Sequence, residues 1–127
     1  MTRHSKPSEA ETAILNILWD HQPCLVKDIH DHLSRTKNVG YTTTLKQVQR
    51  LLDKGLVMRE PGPGKSYLYS AAVGEEETKT HLFDRFVATT FGNSVSDLVM
   101  HALGSGKPSE AELEEIKLFL ESLERNS

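Results

Sequence analysis

One cysteine, Cys24, among 127 residues cannot form an internal disulfide, so a disulfide-stapled secreted scaffold is excluded. Long hydrophobic runs are missing too. Nothing approaches the roughly 20 apolar residues a helix needs to cross a bilayer, which argues against direct membrane insertion. The opening residues, Met1-Thr2-Arg3-His4-Ser5-Lys6-Pro7, lack the apolar stretch of a signal peptide, and the expected location is the cytoplasm. Catalytic signatures are equally scarce: no nucleophile stands in a pattern with an adjacent base. Gly62-Pro63-Gly64-Lys65 has a superficial likeness to a phosphate loop, but it lacks the preceding spacing and the Ser/Thr that leads into a helix. The chain therefore reads as a non-enzyme without a cofactor. His21, Cys24, His30 and His32 lie close together in sequence. On a helix, however, His30 and His32 would point about 200° apart, and His21 with Cys24 supplies only two ligands of a tetrahedral site. No metal site is expected. Cys24 has no neighbouring cation to lower its pKa and reads as a semi-buried thiol in an ordinary turn.

Charge of one sign is not in large excess. A net charge of −3 argues at first against a polyanionic partner, but the distribution reverses the argument. Residues 1–74 hold ten Lys/Arg against seven Asp/Glu, and residues 75–127 hold five against eleven. Within residues 34–66, Arg35, Lys37, Lys46, Arg50, Lys54, Arg59 and Lys65 face only Asp53 and Glu60. Local potential rather than total charge steers a polyanion, so a basic front and an acidic back suit a protein that meets DNA with one end.

The pattern of elements gives that front a shape. Pro7-Ser8-Glu9-Ala10-Glu11 predicts a helix start, with Ser8 as N-cap and Glu11 completing a capping box. Ala10, Ala13, Ile14, Ile17 and Leu18 follow at helical spacing, up to Trp19 and the breaker Pro23. A second helix is expected from about Val26 to Ser34, with Val26, Ile29 and Leu33 on one face. A third should begin at Tyr41-Thr42, with Thr42 as N-cap and an apolar stripe of Leu45, Val48, Leu51 and Leu52. Gly55 falls where a left-handed C-cap belongs. The period then changes. Leu56–Glu60 and Ser66–Ser70 read as strands joined by the turn-rich Pro61-Gly62-Pro63-Gly64-Lys65. Three helices followed by a hairpin with a basic tip describe a winged helix-turn-helix with a two- or three-stranded wing.

Beyond Gly74 the chain reads as three more helices, over about Glu75–Phe91, Ser94–Leu103 and from Pro108 onward. The string PSEAE recurs at residues 108–112, a second use of the same capping chemistry. A helical segment this short rarely sustains its own core. Its apolar positions Leu82, Phe83, Phe86, Val95, Leu98, Val99, Leu113, Ile116 and Leu120 are therefore expected to be buried against a second copy, as a homodimer. The expected organisation is a DNA-binding domain over residues 1–74 and a helical dimerisation domain over residues 75–127, mostly α overall.

Gly40-Tyr41-Thr42-Thr43-Thr44-Leu45 and Leu51-Leu52-Asp53-Lys54-Gly55-Leu56-Val57 resemble the penicillinase-repressor family (BlaI/MecI type). So do Ser8-Glu9-Ala10-Glu11 with Trp19, Asp28-Ile29-His30 and Tyr67-Leu68-Tyr69-Ser70, over about residues 6–124. The resemblance implies a homodimeric transcriptional repressor that binds a two-fold symmetric double-stranded DNA operator. It places Tyr41, Thr42, Thr43, Lys46, Gln47 and Arg50 on or near the recognition helix, and Lys65, Ser66 and Tyr67 in the wing. Side-chain chemistry agrees: the threonines can contact phosphate or a thymine methyl, Lys46 and Arg50 can reach guanine edges or phosphate, and Gln47 can pair with adenine. For some members the resemblance further implies a membrane-anchored sensor peptidase, which leads to cleavage of an Asn-Phe bond; aligned on Leu98-Val99-Met100, His101-Ala102 occupies that position. Copper-responsive relatives carry a C-terminal cysteine cluster that this chain lacks. Leu25 replaces the small or hydroxyl residue usual at the start of the second helix, which should weaken that cap by up to about 1 kcal/mol. The competing reading is a winged-helix protein-interaction module that does not read DNA sequence.

Overall fold

In the computed structural model, which describes residues 6–105 and 109–125, the elements run α1 (Glu9–His21), α2 (Val26–Leu33), α3 (Tyr41–Asp53), β1 (Val57–Pro61), β2 (Tyr67–Ala71), α4 (Glu75–Thr90), α5 (Val95–Ser105) and α6 (Glu110–Arg125). Two compact units divide the chain, Met1–Lys79 and Thr80–Ser127, so that the division falls within α4. Pro108 and the side chains of Leu120 and Leu123 lie outside the described residues.

The capping box at the start of α1 is complete. The Glu11 amide donates to Ser8 Oγ at 3.1 Å, and the Ser8 amide donates to Glu11 Oε1 at 2.9 Å. The same Glu11 oxygen accepts Lys54 Nζ at 2.6 Å, and Glu11 is fully buried while Lys54 is partly exposed. One carboxylate thus caps α1 and ties it to the end of α3. Burial pushes the Glu11 pKa up, but the hydrogen bond from Lys54 and those from Ser8 outweigh it, and the net direction is down.

The core of the first unit is built from Ile14, Leu15 and Leu18 of α1, Ile29 and Leu33 of α2, and Val48 and Leu51 of α3, closed by Leu56, Val57 and Tyr69. Two expectations for α3 need correction. Its N-cap is Gly40, in extended conformation and without a side-chain cap, so Thr42 already lies inside the first turn. Leu45 is exposed, and the inward position belongs to Thr44, which is fully buried. The Thr44 hydroxyl is paired with His30 Nδ1 at 3.1 Å and reaches the Gly40 carbonyl at 3.4 Å, so its burial leaves no unmet hydrogen bond. The start of α2 has Leu25 as N-cap with no side-chain hydrogen bond, as its sequence suggests.

Gly55 takes the left-handed conformation, φ +77°. Its amide donates to the Leu52 carbonyl and the Leu56 amide to that of Leu51, the paired bonds of a Schellman C-cap. A side chain there would force a strained backbone, and Gly55→Ala is expected to cost about 1–2 kcal/mol. Urea denaturation checks this; unchanged stability would contradict it.

β1 and β2 pair antiparallel, with Val57 opposite Ala71, Arg59 opposite Tyr69 and Pro61 opposite Tyr67. Each strand starts one residue later than its pattern predicts. Leu56 is spent in the helix cap. Ser66 closes the loop, accepting from the Gly62 amide and donating through its hydroxyl to the Pro63 carbonyl at 2.6 Å. Cys24 adds an isolated bridge to Tyr69, with amide–carbonyl distances of 2.9 and 2.7 Å in the two directions. Its thiol is buried and donates to the His21 carbonyl, and burial followed by the charge of Asp28 raises its pKa. The His21 and His32 rings stack at 4.2 Å. Among the described residues no three His, Cys, Asp or Glu side chains converge as metal ligands.

The entry to α4 is fastened to α1 by a hydrogen bond from Trp19 Nε1 to the Val73 carbonyl at 3.1 Å. In the second unit the repeated PSEAE string forms the expected second capping box, Ser109 with Glu112 at 3.0 and 3.1 Å. Val87 is buried, whereas Phe83, Phe86, Val95, Leu113 and Ile116 are 37–50% exposed. Among the described residues no helix is long and apolar enough to cross a membrane.

Candidate nucleic-acid interface

α3 presents three distinct faces. Thr44, Val48 and Leu51 point into the core. At 100° per residue, Thr42, Thr43, Lys46 and Arg50 fall on the opposite crest, and all four are exposed. Neither Lys46 nor Arg50 has a salt-bridge partner among the described residues, which leaves their charges available to an external anion. The third face, Tyr41, Leu45 and Gln49, looks onto a shallow hollow shared with the first residues of α2 and with Arg59, Ser66, Tyr67 and Tyr69 of the hairpin.

The residues singled out by sequence therefore separate into groups. Thr42, Thr43, Lys46 and Arg50 share the crest. Gln47 is half-buried on the flank away from the hollow. Tyr41 stands on the hollow side, its ring edge-on to His30 at 5.6 Å. Lys65 is exposed at the tip of the hairpin. Ser66 is exposed as well, but its hydroxyl is committed to the loop. Tyr67 lies under the Arg59 guanidinium, 3.9 Å from carbon to ring centroid.

Arg59 and Gln49 are the residues that sequence reasoning passed over. The signal for Arg59 is visible in retrospect. Strand residues alternate between faces, so Arg59 shares its side of β1 with the buried Val57. Unlike Val57, however, Arg59 is exposed, and its guanidinium is held by the aromatic side chains of β2. Here the Tyr69 hydroxyl accepts from Arg59 Nη1 at 3.5 Å, and that contact moves the guanidinium pKa further up.

A three-helix unit followed by a hairpin, with an exposed basic crest on the third helix and the cations Arg59 and Lys65 on the hairpin, defines a winged helix-turn-helix protein. The model of the penicillinase repressor family matches residues 7–122, and the chain belongs to that family. It is 23% identical over 118 residues to the penicillinase repressor of Staphylococcus aureus, covering 93% of each chain. To the penicillinase repressor of Bacillus licheniformis it is 25% identical over 118 residues, covering 90% of this chain and 88% of that one. The solution structure of B. licheniformis BlaI, in monomeric form in complex with the blaP half-operator, superposes with a TM-score of 0.51 at 22% identity, covering 61% of this chain and 93% of that one. That likeness establishes the shared winged-helix fold.

Proposed function

We propose that the protein is a sequence-specific transcriptional repressor that binds a two-fold symmetric DNA operator as a homodimer. The observation that carries this reading is the crest of α3, where Thr42, Thr43, Lys46 and Arg50 stand exposed and the two cations lack salt-bridge partners among the described residues. That crest has the dimensions and chemistry of a helix laid into the major groove. Lys65 at the hairpin tip supplies a flanking contact to phosphate or the minor groove. The family relatives named as penicillinase repressors support the same reading.

In this account residues 1–74 read DNA and residues 75–127 dimerise. The exposed apolar side chains of α4, α5 and α6 support dimerisation, because side chains of that size gain free energy when a second copy covers them. The sensor peptidase of some family members would meet His101-Ala102 within α5 at the aligned position. Induction of this protein is therefore not assigned to cleavage of that bond.

Arg50→Ala tests the base-reading role. It should leave the fold intact and cost about 1–3 kcal/mol on the preferred duplex, with a smaller loss on a scrambled one. Competition between the two duplexes measures it. An equal loss on both would reduce Arg50 to a phosphate contact. Wild-type affinity should fall steeply with added salt as counterions are released. A protein-interaction module would bind no duplex tightly even at low salt.

A further inference from the structure

We propose that Arg59 is a DNA-phosphate contact of the hairpin, and that Tyr67 positions it rather than touching DNA itself. This rests on the DNA-binding reading above and assigns a residue that the basic crest does not include.

The register places Arg59 opposite Tyr69 and Tyr67 opposite Pro61, so Arg59, Tyr67 and Tyr69 occupy one side of the hairpin, the side that carries the buried Val57 and Tyr69. Arg59 itself is exposed on that side, so its guanidinium is open to an external anion. No carboxylate compensates Arg59 among the described residues. Instead its guanidinium lies 3.9 Å over the Tyr67 ring and donates to the Tyr69 hydroxyl. A stacked guanidinium keeps its edge free. Only one of its five N–H donors has a hydrogen-bond partner among the described residues, and Arg59 lines the hollow beside Leu45 and Gln49 of α3.

The position of the hollow selects the ligand. With the crest of α3 in the major groove, its flank faces the groove wall, where the sugar-phosphate backbone runs. Contacts at that wall set register rather than read bases. A planar fork matches two phosphate oxygens, and Lys27 at the start of α2 adds a second cation to the rim. The rotamer freedom that an arginine normally loses on binding is already restrained by the stack.

The test uses the full chain, the duplex enriched from a randomised library, and a scrambled duplex of equal length, with affinity measured across a salt series. Arg59→Ala is expected to weaken both duplexes by the same factor, about tenfold, and to reduce the slope of log K against log salt by about 0.9, one phosphate contact. Arg59→Lys should keep the slope and lose only a few-fold. Tyr67→Phe, which retains the ring, should behave as wild type, whereas Tyr67→Leu should approach Arg59→Ala. Thermal melting confirms that each variant is folded, as expected for exposed positions. An unchanged slope in Arg59→Ala, or a loss confined to the enriched duplex, overturns the phosphate assignment. A loss in Tyr67→Phe equal to that of Arg59→Ala overturns the positioning role. Failure of the wild type to bind either duplex refutes instead the DNA-binding reading, a result distinct from any behaviour of Arg59.

Discussion

Ile116→Asp is expected to convert the protein to a monomer and to weaken binding to a two-fold site by about 10²- to 10⁴-fold, the advantage that tethering two half-site readers confers. Ile116 lies on α6 and is 37% exposed within one chain, alongside the more exposed Leu113. On an isolated chain an aspartate at such a position meets water and costs little. Covered by a second copy, it becomes a buried charge without a partner, a heavy penalty for association. The two effects should therefore separate: helix content and melting of the dilute chain stay near wild type, while sedimentation shows the loss of the two-chain species. Half-site affinity should change little. A variant that remains dimeric, or a monomer that binds the full site as tightly as wild type, would contradict dimerisation through this face.

The second large effect is on stability. Lys54→Met is expected to destabilise the fold by about 3 kcal/mol at neutral pH, the lower end of the cost of breaking a buried ion pair, because Lys54 remains partly exposed. It would strand the fully buried Glu11, whose Oε2 already lacks a hydrogen-bond partner among the described residues. The sign with pH follows from the lowered Glu11 pKa. A carboxylate whose folded pKa lies below its unfolded value contributes stability above the unfolded value, and that stability is lost as pH falls through the folded one. Wild type and Lys54→Met should therefore differ most at neutral pH and converge only as pH falls through the lowered folded pKa of Glu11. Glu11→Gln combined with Lys54→Met should recover part of the loss, since a neutral side chain no longer needs the cation. Urea titrations of the three proteins at neutral and acid pH decide the matter. An equal loss from Lys54→Met at both would show that packing, not charge, is at stake.

The elements governed by local chemistry were legible in the sequence. Ser8 with Glu11, and Ser109 with Glu112, are separated by three residues, and the capping they imply is formed at both ends of the chain. Gly55 stands one residue past a helical stripe and adopts the left-handed cap for which its lack of a side chain suits it. What escaped is what tertiary structure decides. The second partner of Glu11 lies 43 residues away on another helix, and no local pattern announces it. Hydrophobic periodicity marks Leu45 as inward and Thr44 as neutral. The partners that His30 Nδ1 and the Gly40 carbonyl offer to its hydroxyl reverse that ranking, letting Thr44 be buried and turning Leu45 toward the hairpin. The strands shifted by one residue because Leu56 and Ser66 were drawn into the turns that flank them.

The candidate interface divides along the same line. Lys46 and Arg50, four residues apart on a helix, share a face by geometry alone, and so do Thr42 and Thr43 beside them. Gln47 has side-chain chemistry suited to adenine but falls on a half-buried flank, away from the exposed crest. Arg59 was counted in the basic stretch of the sequence. Its contact with Tyr67 depends on strand register, with Pro61 opposite Tyr67, which no local sequence pattern sets.

Selection of bound duplexes from a randomised library at near-physiological salt, followed by binding stoichiometry on the enriched sequence, tests the central claim most directly. The account predicts a two-fold symmetric sequence that takes up two chains. No enrichment, with binding lost in modest salt, would contradict it and leave the winged helix serving a partner other than an operator.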